Sequence, residues 1–348
     1  MARWSMESKI IFWLTFCATF CVYNAVAALI KPDPNNTLGG RIINGTVASL
    51  SASKHQASLR RRSFDAYFFG SGHICGGSLI EPNVVLTAAH CLMNQETYNG
   101  TYRPASDFII VMGTLDRYQR TENTLIFNIV KYVTGIAVFN THTYQNDIAV
   151  LFLNGSVPQG HRTIEPINRA RVLPADGTIC QTSGWGLTEE GTNSGVLMTV
   201  DLPFIDHDIC VKDTELGELV QDGMICAGYE EGEKDACSGD SGGPLVCNRQ
   251  LSGIVSWGVN CAHPLLPGIY TDVVYWRDFI DETIAKGNGN NTSNGNNITG
   301  NITGNNTGNN TAGGGNRPGI GGGAMSNFLH SAVMLIMLGA WTTIIKCF

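Results

Sequence analysis

Three short segments stand out for what their side chains could do together: Leu86-Thr87-Ala88-Ala89-His90-Cys91, Asn146-Asp147-Ile148-Ala149-Val150-Leu151 and Gly239-Asp240-Ser241-Gly242-Gly243-Pro244. They supply an imidazole, a carboxylate and a hydroxyl in that chain order, one of three orders in which the Ser-His-Asp constellation occurs on unrelated folds. A serine hydroxyl is a poor nucleophile near neutral pH. An imidazole must take its proton as the oxygen attacks a carbonyl, then return it to the leaving amine. A buried carboxylate must orient that imidazole and offset its charge. Each segment is modest alone, and the glycine-rich one could be an ordinary turn. Of the other histidines, His55, His73, His142, His161, His207 and His263 read as structural or exposed.

The elements that would position these groups lie between Ile42 and about Lys286 of the 348-residue chain. Short apolar, β-branched runs such as Phe108–Met112, Ile126–Tyr132, Ile148–Leu153 and Gly253–Trp257 are separated by Gly, Asn, Asp and Pro, which predicts an all-β sandwich or barrel. Over Val273–Ala285, Val273, Trp276, Phe279, Ile280 and Ile284 recur at helical spacing and predict a closing helix. Of 11 cysteines, Cys17, Cys21 and Cys347 fall in apolar end segments. The other eight, Cys75, Cys91, Cys180, Cys210, Cys226, Cys237, Cys247 and Cys261, suggest four disulfides and an oxidising compartment. Spacing alone leaves about a hundred pairings open. No CxxC pair or Cys/His cluster has zinc spacing, so no metal and no cofactor is expected.

Both ends read as targeting signals. Residues 1–27 carry Arg3 and Lys9 before an apolar run and end on Ala25-Val26-Ala27, a secretory signal peptide cut after Ala27. Residues 287–327 are rich in Asn, Gly and Thr, cannot bury a core, and hold N-x-[ST] acceptors at Asn290, Asn291, Asn297, Asn301, Asn305 and Asn309. They read as a glycosylated stalk, with further acceptors at Asn44, Asn99 and Asn154. Residues 328–348 are an apolar tail preceded by small residues, which favours a GPI-attachment signal over a spanning helix, since few basic residues follow. The expected location is therefore extracellular, at the cell surface, with the membrane reached through a C-terminal lipid anchor. The net charge of −7 offers no basic face for nucleic acid. Removing the six basic residues of the two ends (Arg3, Lys9, Lys31, Arg41, Arg317, Lys346) and the two acidic ones (Glu7, Asp33) from totals of 22 and 29 leaves 16 against 27, so the middle is near −11.

From Ile42 to about Ala285 the chain resembles the chymotrypsin/trypsin-like serine proteases, with motifs agreeing in order and spacing. The resemblance implies two six-stranded antiparallel β-barrels with the active site between them and a C-terminal helix. It implies Ser241 as nucleophile, His90 as base and acid, Asp147 as orienting group, and the Gly239 and Ser241 N–H groups as oxyanion donors. It pairs Cys75–Cys91, Cys180–Cys247, Cys210–Cys226 and Cys237–Cys261. Gly39-Gly40-Arg41-Ile42-Ile43-Asn44-Gly45 is similar to the family's activation junction: cleavage after Arg41 by a trypsin-like protease would release residues 28–41 and free the Ile42 amine to pair with Asp240. No cysteine tethers that propeptide.

In trypsin-like members an acid six positions before the nucleophile sits at the base of the specificity pocket. Here it is Asp235, with Ala236 beside it and walls from Ser256, Trp257, Gly258, Pro267 and Gly268. This implies protein substrates with Arg or Lys at the cleavage site, and protein protease inhibitors as partners. Ala236 replaces trypsin's serine, which favours Arg, since Arg pairs bidentately with a carboxylate while the shorter Lys misses the hydroxyl. Asn260 stands where trypsin has a rim glycine, Ser238 where glutamine is common, and Thr114 where trypsin has an acidic calcium ligand, so no calcium requirement is expected. Two other readings stand beside the protease: a catalytically silent protease-like binding module at the cell surface, and a chain whose stalk is the functional part. The complete Ser/His/Asp set argues against both.

Overall fold

The computed structural model describes residues 44–94, 101–135, 139–188 and 191–288. Within them the β-branched runs become 13 strands. The first barrel is built from β2 (Gln56–Arg61), β3 (His73–Glu81), β4 (Val84–Thr87), β5 (Phe108–Met112), β6 (Leu125–Thr134) and β7 (Ala149–Leu153). It closes in the order β2-β3-β4-β7-β6-β5. Along β6, Phe127 and Ile129 point inward while Ile126 and Val130 are exposed, the period of two that a strand with one wet face requires.

The second barrel uses β8 (Ile179–Gly184), β9 (Met198–Ile205), β10 (Met224–Ala227), β11 (Pro244–Cys247), β12 (Gln250–Trp257) and β13 (Gly268–Asp272). Its order is β9-β10-β13-β12-β11-β8, and β8 pairs back to β9, closing six strands; β1 (Thr46–Val47) adds to β9 from outside. Met198, Val200, Leu202 and Phe204 alternate into its core. Four disulfides join Cys75–Cys91, Cys180–Cys247, Cys210–Cys226 and Cys237–Cys261, the pairing the family resemblance implies. A 16-residue separation such as Cys75–Cys91 is worth about 3 kcal/mol in the chain-entropy account.

The closing helix runs over Arg277–Asn288, starting four residues later than periodicity predicts. Asp272 is the reason. Its Oδ1 accepts from the Val274 and Tyr275 N–H groups at 2.7 and 3.1 Å, turning the chain before the helix begins. Trp276, Phe279 and Ile280 then pack into the first barrel's core cluster, so the last element of the second barrel's chain clamps onto the first. No helix among the described residues is long and apolar enough to cross a membrane.

A charge lies inside this fold. Arg60, fully buried, bonds Asp65 Oδ1 at 3.2 Å, Ser58 Oγ at 2.9 Å and the Arg117 carbonyl at 3.1 Å, and stacks over Phe69. Removing one partner of a buried pair strands the other without water. Asp65→Ala is therefore expected to destabilise by about 3 kcal/mol, whereas Glu165→Ala, in the exposed pair with Lys54 at 3.2 Å, should change stability by less than about 1 kcal/mol. Equal shifts of the two urea midpoints would contradict this.

Candidate active site

Strands β4 and β7 are antiparallel neighbours, with Thr87 opposite Ala149. His90 sits in the 3-10 turn just after β4, and Asp147 lies two residues before β7, so the pairing brings both to one end of the barrel. Asp147 Oδ2 lies 2.8 Å from His90 Nδ1, and Asp147 Oδ1 accepts from the His90 backbone N–H at 2.9 Å. The second barrel supplies two more donors: Ser256 Oγ reaches Asp147 Oδ2 at 2.5 Å, and Thr271 Oγ1 donates to the Asp147 carbonyl at 2.7 Å. The aspartate is 1% exposed. Burial pushes the His90 pKa down, but the Asp147 charge and hydrogen bond outweigh it and hold the imidazole above its ordinary value.

Ser241 lies in the turn that leads into β11, with Gly239 at φ 98° and Gly242 at φ 78°, conformations that side chains disfavour. Gly76 N–H donates to the Ser241 carbonyl at 2.8 Å, and Thr87 Oγ1 donates to the Gly76 carbonyl at 2.8 Å. The serine turn of one barrel is thus pinned to the strands that carry His90 in the other.

Asp240, fully buried, accepts from the Gly186 and Cys237 N–H groups at 2.8 and 2.9 Å. Burial, partly offset by those two bonds, raises its pKa to about 6. Among the described residues it has no cationic partner. A Cβ on Gly184 would lie 2.0 Å from its Oδ1, so only glycine fits there. Asp235, 3% exposed, bonds the Ala262 N–H through Oδ2 at 3.0 Å, while its Oδ1 is buried with no partner. Burial lifts its pKa to about 7. A Cβ on Gly268 would come within 2.8 Å of that free oxygen, and Gly258 has open space where a side chain would start. Ala236 is buried beside it. Ser256 directs its hydroxyl to Asp147. Asn260 adopts a left-handed φ of 53°, the conformation glycine would take freely and asparagine tolerates better than most.

Arg41, Ile42, Asn99, Asn290, Asn291, Asn297, Asn301, Asn305 and Asn309 lie outside the described residues, as do the signal, stalk and tail segments. Asn44 and Asn154 are exposed; Asn44 Nδ2 donates to the Glu233 carbonyl at 2.9 Å. Thr114 Oγ1 donates to the Asp116 carbonyl at 2.8 Å. The one group of metal-type side chains among the described residues is Cys75, His90 and Cys91, whose sulfurs are joined in a disulfide.

Sequence reasoning passed over several neighbours of the site. His73, taken as structural or exposed, is 6% exposed; its Nδ1 bonds Ser58 Oγ at 2.9 Å and its Nε2 lies 3.2 Å from the Gly239 carbonyl. Burial, helped by the Arg117 charge, lowers its pKa to about 3, so the ring is neutral and donates through Nε2. Phe139, Tyr144 and Trp257 form an aromatic wall: Phe139 and Tyr144 lie 6.2 and 6.3 Å from the His90 ring, and Tyr144 lies 5.9 Å from Trp257. Tyr144, three residues before Asp147, had only its place near the acidic motif to signal it.

Two closed antiparallel barrels meeting at a buried carboxylate–imidazole pair are the architecture of the chymotrypsin-like fold. A family profile described as Trypsin matches residues 42–280. Trypsin zeta of Drosophila melanogaster is 36% identical over 259 residues, which cover 73% of this chain and 89% of its own. Vitellin-degrading protease of Bombyx mori is 35% identical over 264 residues, covering 75% and 92%. Coagulation factor XII of Rattus norvegicus is 35% identical over 262 residues, covering 70% of this chain and 41% of its own. The chain belongs to the trypsin family: it is a serine endopeptidase, acting on protein substrates and open to protein inhibitors.

The raised pKa of His90 has a consequence for stability. A group held above its unfolded value, here 6.5, stabilises fully below that value and loses the contribution as pH rises through the folded pKa. The stability of wild type relative to His90→Gln should therefore be constant in acid and fall as pH rises from about 6.5 into the alkaline range. Urea midpoints measured across that range check it, and a constant difference would overturn it.

Proposed function

We propose that the chain is a zymogen-derived endopeptidase that cleaves after arginine, and less well after lysine, through an acyl-enzyme. Ser241 is the nucleophile. His90 Nδ1 is occupied by Asp147, which leaves Nε2 to take the serine proton as Oγ attacks the scissile carbonyl. The N–H groups of Gly239 and Ser241 bind the developing oxyanion, where one lost donor typically costs about 3 kcal/mol. His90 then protonates the leaving amine, and water releases the acyl group by the same steps in reverse order.

The observation that carries the specificity is the Asp235 carboxylate: buried, with one oxygen unpartnered and glycine at the facing position. An uncompensated buried carboxylate is costly, and a guanidinium satisfies it through two parallel hydrogen bonds. Ala236 offers no hydroxyl to a shorter ammonium, so Arg is preferred by about 1 kcal/mol, near tenfold in kcat/KM. Asp240 supports the activation reading in the same way. Cleavage after Arg41 would free an ammonium on Ile42, and a buried carboxylate without a cation is the partner such an amine requires. Residues 1–27 serve as signal peptide, 28–41 as propeptide, 287–327 as a glycosylated stalk and 328–348 as a GPI signal, which places the 42–286 domain outside the cell on a lipid tether.

Two experiments test this reading. After cleavage at Arg41, peptides ending in Arg should be hydrolysed about tenfold better than those ending in Lys, with Ala236→Ser narrowing the gap; Ser241→Ala and Arg41→Gln should be inactive, and activity after Phe instead would overturn the assignment of Asp235. Second, Asp235 must ionise before it can hold a cation. Benzamidine affinity should therefore weaken about tenfold per pH unit below about pH 7, and affinity independent of pH there, or retained in Asp235→Asn, would refute the pairing.

A further inference from the structure

A cavity of about 370 Å3 lies apart from the triad and from Asp235, where the first barrel, the inter-barrel segment, the second barrel and the C-terminal helix meet. Glu81 ends β3, Arg169 and Arg171 lie on the inter-barrel segment, Gln250 begins β12 and Arg277 begins the helix. Its walls are braced by backbone bonds of 2.9 Å each: Ile167 N–H to the Leu79 carbonyl, Leu251 N–H to the Asn168 carbonyl, and Ala170 N–H to the Leu251 carbonyl. The site is thus fixed before anything enters it.

Its charge runs against the rest of the domain. The domain is near −11, yet three of its 16 basic residues line this one cavity. Among the described residues, Glu81 in the lining and Asp281 beside it oppose them. Asp281 is shared: it bonds Arg169 Nη2 at 2.6 Å and lies 3.7 Å from Arg277 Nε. Arg171 has no ion pair among the described residues. Arg169 Nη1 is buried and makes no hydrogen bond. A guanidinium has only donors, and a buried donor left unmade costs free energy. The first turn of the helix adds the partial positive charge of its N-terminus.

We propose that this cavity binds a sulfate or phosphate ester of sugar size. Three guanidinium groups suit a tetrahedral oxyanion, whose several oxygens accept from more than one of them. The volume is more than a bare ion fills and falls at the small end of ordinary ligand pockets. Because the lining comes from both barrels and the helix, the ligand ties them together and stabilises the fold by binding the native state alone.

The test is a thermal-unfolding titration of the purified full chain with glucose 6-sulfate and glucose 6-phosphate, at constant ionic strength and with glucose as control. At least one ester should raise Tm saturably while glucose does not, and the stronger ester identifies the class. Arg171→Gln should weaken that ester at least tenfold, leaving the unliganded Tm and hydrolysis of a small arginyl peptide unchanged. Arg169→Gln loses its bond to Asp281 and is a less clean variant, so Asp281→Asn is the second arm: removing the competing carboxylate should tighten binding. No saturable shift with either ester, or equal affinity in Arg171→Gln, overturns the proposal.

Discussion

Asp147 is an anion almost without solvent, and its survival depends on hydrogen bonds from both barrels. His90 gives the carboxylate two donors from the first barrel and Ser256 one from the second, while Thr271, also of the second, donates to the Asp147 main-chain carbonyl. Taking a carboxylate out of water costs several kcal/mol unless such partners are in place. The barrels therefore cannot slide past one another without exposing that cost. The same contacts that hold the interface set the imidazole ring, so interface geometry and site geometry are one constraint.

A second set of contacts transmits that constraint to the serine turn. Gly76 sits next to Cys75, which is bonded to Cys91, the neighbour of His90. Gly76 also donates to the Ser241 carbonyl, and a Cβ there would come within 2.7 Å of Gly243. From the other side, Asp65, Arg60, Ser58 and His73 form a buried run of hydrogen bonds that ends on the Gly239 carbonyl. The carbonyls of both residues flanking Asp240 are thereby held from the first barrel. Small shifts at this junction are resisted by packed, fully bonded groups, as a preorganised site requires.

Much of this was legible in the chain because the chemistry demands particular residue types at particular places. His90, Asp147 and Ser241 announce themselves through their flanking motifs, and the strand Phe108–Met112 through its run of apolar residues. The helix start was not legible: Val273 and Trp276 fit the helical period, yet a carboxylate one residue earlier turns the chain first. The contact that His73 makes was not legible for a different reason. Its importance comes from a carbonyl 166 positions away, and no local pattern encodes that contact. Likewise, Ser256 fits the specificity segment by position, but its hydroxyl serves the aspartate across the barrel interface.

The segment from Asp235 to Ser241 concentrates two buried carboxylates within five positions of each other, bracketing Cys237, which is tied to Cys261. Burial raises both pKa values, to about 7 and about 6, and their mutual repulsion adds to the rise at Asp235. An acid whose folded pKa is raised weakens the fold as pH climbs from its unfolded value to its folded one. Near neutral pH this segment is thus a local destabilisation that the surrounding barrel tolerates. On the proposed reading each carboxylate has its own cation, the Ile42 ammonium for Asp240 and the substrate guanidinium for Asp235. Ionising one raises the cost of ionising the other, so a cation at Asp240 makes Asp235 easier to ionise and readier for its substrate. Activation and substrate affinity are then coupled by charge alone, across seven residues of a disulfide-braced turn.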